Sequence, residues 1–552
     1  MTDYKNLLLP AALSVILIAG CAGDGLQTGK SSITEADLIE DITVLASDDF
    51  EGRFPGTPGG EKTEQYLKQE FEKLGLKPGN GASFFQDVPL VEITADPSAD
   101  LVVSGSGRIR SFEYGREFVG GSRRVVESVN VDQSDLVFVG YGIVAPEYDW
   151  DDYAGTDATG KTVVMLVNDP GFATQDPEFF GGNAMTYYGR WTYKFEEAAR
   201  HGAAGAIIIH ETTAAGYPWG VVQNGWTGPQ SDLVRDDNNM SRCAVEGWIQ
   251  ESGARTLFEM AGKSYESLLQ QAATKEFRAV PLGLSASVSI ENSIRRSSGN
   301  NVLALVEGSK RPEEVIIYMG HWDHLGKDEA LEGDQIYNGA RDNAMGTAAL
   351  IELAEAFKSM PSQPERSILF LAVTAEEQGL LGSAYYAANP VYPLDKTVAA
   401  INIDAAGIWG RTRDVTIVGL GNSDLDSYIT RAVQNQGREV KPEAEVEKGF
   451  YFRSDQFSFA KAGVPSLYID NGNDSVEHGL EWGLQQSADW TAKHYHQPSD
   501  EYNDTWDLSG FVENLQAVLE VGYVLAGETS FPEWSERSAF RSIREGYMTS
   551  GE

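Results

Sequence analysis

The sequence EVIIYMG, residues 314–320, is apolar from Val315 onward and is followed by the cluster His321-Trp322-Asp323-His324. Similar runs follow it along the chain, at 367–373 (SILFLAV), 398–403 (VAAINI) and 464–469 (VPSLYI). Amphipathic stretches with helical spacing lie between the runs, and residues 343–360 form a clear example. Continuous apolar strands that alternate with helices are typical of a sheet covered on both faces. The pattern therefore predicts an α/β fold around these strands.

The composition is that of a folded and strongly acidic protein. Of the 552 residues, 41% are hydrophobic, which argues against disorder along the whole chain. The chain carries 82 Asp+Glu against 43 Lys+Arg, a net charge of −39. A surface of this sign repels phosphate backbones and anionic lipid head groups, so nucleic acid is not an expected partner. Two cysteines, Cys21 and Cys243, do not make a disulfide framework.

The length predicts two or three folded units, and the character of the sequence changes twice. Residues 34–95 follow a helical pattern that a turn-rich GTPGG stretch interrupts. Residues 96–285 contain short β-like runs separated by Gly, Pro and Asp. Residues 286–552 return to alternating strands and helices. The simplest organisation is one α/β domain, formed by 34–95 and 286–552, that is interrupted by a mostly β insertion at 96–285.

The N-terminus predicts export. Residues 6–18 are apolar, follow Lys5, and are too few for a comfortable membrane-spanning helix, as in a secretion signal. Because Ile18-Ala19-Gly20-Cys21 resembles a bacterial lipobox, residues 1–21 are interpreted as a lipoprotein-type signal peptide. Residues 22–33 are small and polar and are interpreted as a tether. We expect an exported protein that meets a membrane only through a lipidated Cys21, facing the periplasm or the exterior; plain cleavage or a short anchor are the alternatives.

Ionisable side chains follow the apolar runs at the points where strands would end. His321 and Asp323 follow the first run, Glu376-Glu377 the second, and Asp404 the third. Ligands of open α/β sheets bind beyond the carboxyl ends of strands, so these side chains are expected at one rim. A turn that contains Asp342 and a late loop that contains His496 complete the set. Imidazoles and carboxylates without a thiolate predict zinc or a similar divalent ion.

Such a set suits hydrolysis at a pair of metal ions. Two divalent ions about 3.5–4 Å apart repel each other, and a carboxylate that bridges them lowers this cost. A carboxylate outside the metal shell must accept the proton of the attacking water. Adjacent Glu376 and Glu377 can divide these roles, because neighbouring side chains leave an extended backbone in opposite directions. Asp323, two residues after His321, is placed to orient the imidazole.

The order of these motifs resembles that in the cocatalytic zinc aminopeptidases, a family that also contains glutamate carboxypeptidase and is related to transferrin receptor and the glutaminyl cyclases. The matching motifs are His321-x-Asp323, Gly339-Ala340-x-Asp342-Asn343-Ala344-x-Gly346, Glu376-Glu377-x-Gly379, Asn402-x-Asp404 and His496-x-Pro498-Ser499-Asp500. The resemblance implies a three-layer α/β/α catalytic domain, made of 34–95 and 286–552, with a mixed, mainly parallel sheet. Residues 96–285 contain GYGIVAPEYDWDDYAGTDATGKTVVML and are similar to a protease-associated domain.

The resemblance also implies a role for each site residue and two Zn²⁺ per chain. One zinc would be held by His321 and Asp404, and the other by Glu377 and His496. Asp342 would bridge them and Glu376 would be the general base. The stretch from Tyr451 to Gln456 is similar to the family's aromatic-x-x-Ser-Asp-His pattern, which makes Tyr451 the hydroxyl that stabilises the oxyanion. Departures from the family pattern occur at Met345, Ala405 and Gln456, and Ala405 bears on the preference for the terminal side chain.

The implied activity is hydrolysis of peptide substrates from the N-terminus. A carboxypeptidase or dipeptidase on the same scaffold, a glutaminyl cyclase, and an inactive surface-binding protein remain alternatives. The segment 471–495 is interpreted as an extended loop that acts as a lid. We expect second-sphere or surface roles for His324, His478 and His494. Trp322, Trp482 and Trp490 are expected in a pocket or in the core, and no oligomeric state is predicted.

Overall fold

The structure is a computed structural model that describes residues 25–96, 99–404 and 406–550. The predicted signal peptide, including Cys21, and residues 22–24 of the predicted tether lie outside the described residues, as does Ala405. Within the described ranges, no helix is both long enough and apolar enough to cross a membrane.

A central mixed sheet carries the apolar runs found in the sequence. The runs form parallel neighbours in the order Arg366–Val373, Arg311–His321, Thr397–Asn402 and Ser466–Asn471. Antiparallel strands extend one edge, namely Val280–Val306, Phe85–Ala95 and Pro229–Leu233. The other edge continues with Asp414–Ile417 and Glu439–Pro442. The sheet is therefore mixed, with a parallel centre.

Both faces of this sheet are buried, as the apolar runs predict. Along the strand Arg311–His321, Ile316 and Tyr318 pack into one hydrophobic cluster. Ile317 and Met319 pack into a second cluster on the opposite face. The first layer of helices comprises Glu35–Leu45, Pro58–Lys73, Met345–Ser359, Leu425–Asn435 and Ser509–Gly527, and the second comprises Leu381–Ala388 and Gln456–Lys461. The predicted three-layer α/β/α architecture is thus confirmed.

Helix boundaries follow local chemistry. The helical pattern of the lead-in breaks where the sequence GTPGG predicts it, and the second helix begins at Pro58. Thr57 caps this helix, because its hydroxyl accepts the N–H of Gly60 and Pro at the first position needs no donor. Helix Met345–Ser359 is buried along almost its whole length. It packs directly behind the strand that ends at His321.

A second sheet is built from the residues between the two parts of the central sheet. Its strands are Phe118–Gly121, Val245–Gln250, Gly205–His210, Thr162–Leu166, Ser128–Phe138, Leu101–Gly105 and Arg108–Phe112. The 27-residue strand Val280–Val306 pairs in both sheets, with Ser128–Phe138 in one and Phe85–Ala95 in the other. Short strands elsewhere are Lys77–Pro78, Val144–Ala145, Trp150–Asp151, Gly326–Lys327 and Ile336–Tyr337.

Helices accompany this second sheet, so the segment expected to be mostly β is mixed. They are Pro170–Thr174, Trp191–Arg200, Thr212–Ala215, Trp219–Trp226, Glu251–Met260 and Tyr265–Ala272. Most of its apolar residues form two hydrophobic clusters of their own, whereas Met185 packs in a cluster with Val418 and Tyr451.

Two segments differ from the sequence prediction. Residues 25–32, expected to be a tether, are helical and dock on the helix Ser509–Gly527. Lys30 forms an ion pair of 2.5 Å with Glu520, and the amide of Gln516 donates to the carbonyl of Lys30. The expected loop at 471–495 contains the helix Leu480–Lys493, in which only Gly483 is buried. The last helix of the described chain is Arg541–Ser550.

Candidate metal centre

Neighbouring strands deliver the predicted donors to one edge of the central sheet. His321 is the last residue of its strand and lies in register with Val373, the last residue of the adjacent strand. Glu376 and Glu377 follow Val373 after a two-residue turn. On the other side, Asp404 comes directly after the strand Thr397–Asn402 and Ile403. The parallel arrangement therefore brings the three strand ends together, as the sequence predicts.

Asp342 lies between the two predicted histidines. Its Oδ1 is 3.4 Å from Nε2 of His321, and its Oδ2 is 3.3 Å from Nε2 of His496. His321 Nε2 also lies 3.3 Å from Oδ1 of Asp404. His496 Nε2 lies 3.1 Å from Oε2 of Glu377. The carboxylate of Asp342 thus faces a His321–Asp404 pair with one oxygen and a His496–Glu377 pair with the other.

These distances fit tetrahedral zinc. Two donors bound to one ion at about 2.0–2.1 Å in tetrahedral geometry lie about 3.3 Å from each other. The four donor contacts of the pairs are 3.1–3.4 Å long. Within the described ranges, His321, Asp342 and Glu377 each place one donor atom within 4.8 Å of the others, close enough to share a metal ion. Imidazole and carboxylate donors without a thiolate match the chemistry of a hydrolytic zinc centre.

The electrostatics are those of a site built for a cation. Burial lowers the pKa of His496, yet hydrogen bonds with Asp342 and Glu377 outweigh it and raise the pKa to about 10. Burial would raise the pKa of Asp342, but the two histidines hold it well below its usual value. Burial raises the pKa of Glu376 well above normal, and the charges of Glu377 and Asp404 add to this effect. The concentrated carboxylates stabilise any positive charge placed among them.

Asp323 acts through different contacts from those predicted. Its Oδ1 accepts the N–H of Glu376 at 3.0 Å and its Oδ2 accepts that of Glu377 at 3.4 Å. The Nδ1 of His321 lies 3.1 Å from the backbone carbonyl of Asp323 but 3.9 Å from its carboxylate. The carbonyl therefore orients the imidazole, and the side chain fixes the turn that carries both glutamates.

The predicted oxyanion role does not fit the position of Tyr451. The side chain is 3% exposed and packs among Phe452, Phe457 and Trp534. Its hydroxyl donates to the backbone carbonyl of Ser466 over 3.5 Å. Burial raises the pKa of Tyr451, and the charge that adds to this belongs to Asp426 rather than to a donor of the site. Tyr451 is a packing residue in this structure.

Tyr495, which the sequence analysis missed, lies at the site instead. Its ring stacks on His496 with centroids 3.9 Å apart and an angle of 22° between the planes. The side chain is 49% exposed, so it stands at the mouth of the site. Burial of its hydroxyl raises the pKa of Tyr495, and the charges of Asp342, Glu377, Glu376 and Asp404 raise it further. Its position directly before His496 was the signal available in the sequence.

Second-sphere contacts hold the loops of the site. Asp500 accepts the backbone N–H groups of Arg341 at 3.0 Å and of Asp342 at 3.1 Å. The hydroxyl of Ser454 donates to Asp404 at 2.5 Å. Arg53 is 1% exposed, and its guanidinium donates to the carbonyls of Trp322, Leu45, Asn338 and Gly339 at 2.6–2.9 Å. Arg53 thereby ties the lead-in segment to both the His321 and the Asp342 loops, a link that sequence spacing does not reveal.

The remaining predicted histidines and tryptophans fall into separate roles. Trp322 is a core residue, fully buried with its indole N–H donating to the carbonyl of Asn300 at 2.9 Å. A cavity of about 600 Å³ lies beside helix Leu480–Lys493 and is lined by Trp409, Trp482, Trp490, His478 and His494, among others. Arg341, the residue before Asp342, packs on one of these lining residues, with its guanidinium 4.1 Å from the centre of the Trp490 ring. His324 is fully buried and contacts Glu377.

The fold and the site together define an α/β protein with a candidate metal centre. Residues 301–521 match the family model described as Peptidase family M28.

Individual relatives were found by sequence and by structure. The chain is 35% identical over 209 residues to a probable zinc metalloprotease of Leptosphaeria maculans, covering 32% of this chain and 48% of the relative. It is 27% identical over 204 residues to aminopeptidase YwaD of Bacillus subtilis, covering 33% and 42%. A solved aminopeptidase from Aneurinibacillus sp. strain AM-1 is 19% identical, with a TM-score of 0.49 over 92% of this chain and 97% of that one. The chain spans less than half the length of these two curated relatives.

Proposed function

We propose that the chain is a zinc-dependent aminopeptidase that hydrolyses the N-terminal peptide bond of peptides at a site for two zinc ions. One observation carries the proposal: the carboxylate of Asp342 lies between a His321–Asp404 pair and a His496–Glu377 pair. Each pair would hold one ion, and Asp342 would hold both. When bound, the two ions would supply Lewis acidity and a water acidified to a pKa of about 7.

Glu376 is the proposed general base. Its turn is fixed by Asp323, which accepts its backbone N–H at 3.0 Å. Burial and neighbouring carboxylates raise the pKa of Glu376, and a carboxylate with a raised pKa accepts a proton from water more readily. The same carboxyl group then delivers the proton to the amine that leaves. Bound metal ions would offset part of this shift and would favour the ionised form of Glu376.

Tyr495 is the proposed donor to the oxyanion. Its hydroxyl sits within the electrostatic reach of all four site carboxylates, and its ring is held by stacking on His496. A donor aimed at charge that develops in the transition state is worth about 3 kcal/mol in a preorganised site. Tyr468 stabilises the backbone of another donor, Asp404, because its hydroxyl donates to the backbone carbonyl of Asp404 at 3.2 Å.

Recognition of a free N-terminus follows from the charge of the site. Of the site carboxylates, Glu376 is the one that would bind no metal ion, and its negative charge would attract a substrate ammonium group. Arg341, the residue before Asp342, donates to the carbonyl of Ala406 and is packed on tryptophan rings. The Bacillus subtilis relative is itself named an aminopeptidase.

A carboxypeptidase or dipeptidase is the second candidate, and two arginines favour it. The guanidinium groups of Arg190 and Arg453 each contain a buried Nε that has no hydrogen-bond partner among the described residues. Both charges act on the hydroxyl of Tyr217, and Arg453 is also within reach of Tyr495. Among the described residues neither arginine forms an ion pair with a carboxylate, although Glu445 lies within electrostatic reach of Arg453. The two neighbouring guanidinium groups suit the terminal carboxylate of a short peptide.

One substrate series separates these activities. The series is a tripeptide with both ends free, its N-acetylated form and its C-amidated form, each with and without a chelator. We expect release of the N-terminal residue from the free and amidated peptides, and no cleavage of the acetylated one. Release of the C-terminal residue from the free and acetylated peptides, but not from the amidated one, would establish the carboxypeptidase. Formation of pyroglutamate from an N-terminal Gln would establish a glutaminyl cyclase, and binding without turnover an inactive protein. Activity that survives both chelation and Glu376→Gln would refute the mechanism.

Export is also part of the proposal. Residues 1–21 are proposed as a lipoprotein signal, and residues 96–285 as a protease-associated insertion. Mass analysis of the mature N-terminal peptide tests the first point, since a lipidated Cys21 would be the new N-terminus. A mature protein that begins upstream of Cys21 would refute it.

A further inference from the structure

We infer that His324 is a positioning residue that fixes the carboxylate of Glu377 in the metal site. This inference rests on the proposed two-zinc site. His324 is fully buried, and its Nδ1 lies 2.6 Å from Oε1 of Glu377. The other oxygen, Oε2, is 3.1 Å from Nε2 of His496. His324 thus occupies one oxygen of Glu377 and leaves the other oxygen facing the partner donor.

The surroundings of His324 hold its ring in place. Gly339, which begins the turn that leads to Asp342, has a φ of +54°, and a Cβ there would lie 2.6 Å from the imidazole carbons of His324. The turn therefore packs directly on the ring because Gly339 has no side chain. On another side, the rings of His324 and His496 meet edge to face with centroids 5.7 Å apart. His324 contacts elements that carry three of the predicted donors: Asp342, Glu377 and His496.

Among the described residues, the imidazole of His324 has one hydrogen-bond partner, the carboxylate of Glu377. Its Nε2 is buried and has no hydrogen-bond partner there. A histidine kept only for packing would be replaced by an apolar side chain at no loss, since an unmatched buried nitrogen costs stability. The Nδ1–H, donated to Oε1, is therefore the function that this residue serves. Partners of this kind set the orientation of metal-binding carboxylates and their affinity for metal.

The test replaces His324 with side chains that place a hydrogen-bond donor at the position of Nδ1, at a different position, or nowhere. The side-chain nitrogen of Asn is three bonds from Cα, as is Nδ1 of His, whereas that of Gln is one bond further out. His324→Asn can present a donor to Oε1, while His324→Gln presents it at the wrong place and His324→Leu has none. Each variant is titrated with zinc against a chromophoric chelator, and its zinc content is measured after dialysis. His478→Gln is the matched control, because His478 is a half-exposed histidine of the helix-flanking segment.

We expect His324→Gln and His324→Leu to bind one of the two ions about 10–100-fold more weakly, the usual effect of losing such a partner. The affinity of these two variants for the second ion should equal that of the unaltered chain. His324→Asn and the control should bind both ions as tightly as the unaltered chain does. Equal affinities in all variants would overturn the inference, as would an Asn variant as weak as the Gln variant, or equal weakening of both ions. If His324→Leu does not fold, the Asn–Gln pair decides. An unaltered chain that binds no zinc would instead refute the proposed function.

Discussion

Removal of one hydroxyl group distinguishes the two tyrosines considered for the oxyanion. Tyr495→Phe keeps the ring that stacks on His496 at 3.9 Å and loses only the oxygen. If this hydroxyl donates to the oxyanion, its loss costs about 2.7–4 kcal/mol, or about 10²–10³-fold in kcat. KM should change little, because the lost contact belongs to the transition state. Tyr451→Phe is the matched control.

The control has a different expected result. The hydroxyl of Tyr451 donates over 3.5 Å to the carbonyl of Ser466, at the outer limit of a hydrogen bond. Its removal should cost at most about 1 kcal/mol of stability and less than tenfold in kcat. The assay is steady-state release of the N-terminal residue from a tripeptide, with zinc content measured for each variant. A kcat that is unchanged in Tyr495→Phe, or a larger loss in Tyr451→Phe, would refute the assignment.

Three further outcomes are expected. Glu376→Gln should lower kcat by about 10²–10⁴-fold while both zinc ions stay bound, since it removes the base but no metal donor; metal loss in this variant would contradict the division of roles. Arg53→Met should lower the free energy of unfolding by about 3 kcal/mol or more, measured in urea, because buried carbonyls lose their donors; an unchanged midpoint would refute its role as a tie. Burial raises the pKa of Glu352 from 4.5 to about 8. Between these two pH values the folded state keeps this carboxyl protonated while the unfolded state has lost the proton. The free energy of unfolding therefore falls as the pH rises from about 4.5 to 8. Glu352→Gln should therefore stabilise the protein more at pH 8.5 than at pH 5, and an equal effect at both pH values would contradict the shift.

The central sheet and the predicted metal donors follow from local sequence features. An apolar run of six residues, 315–320, followed by a histidine specifies a buried strand and a donor at its carboxyl end. Because the strands that end at His321 and Val373 are parallel and in register, the order of the runs was enough to bring His321 and Glu377 together. Asp342 was found in the same way, at the turn before a long apolar helix.

Contacts that depend on side-chain direction were not predictable. Tyr451 and Tyr495 both lie close to donor-bearing segments in the sequence, and only packing decides which hydroxyl reaches the carboxylates. The predicted and observed roles of Asp323 differ for a related reason. Its carboxylate accepts the backbone N–H of Glu376, and its backbone carbonyl, not its side chain, contacts His321. Spacing in the sequence gives proximity but not the rotamer that decides a contact.

Helix Leu480–Lys493 was missed because little of it is buried. Only Gly483 is fully enclosed, and Leu480 and Leu484 are about half exposed. Without a continuous apolar stripe, the helical period is weak in the sequence. Residues 25–32 were missed for a different reason: their small, polar composition suits a tether, and an ion pair between Lys30 and Glu520 contributes to the docking.

The strand Val280–Val306 has a consequence for how the molecule unfolds. Its first half belongs to the ladder with Ser128–Phe138 and its second half to the ladder with Phe85–Ala95. A hinge between the two halves would require breaking a continuous run of backbone pairing, whereas linkers between independent lobes are free to bend. The two sheets that this strand joins should therefore unfold on heating in one cooperative transition rather than in two steps. A scanning calorimeter should record a single peak.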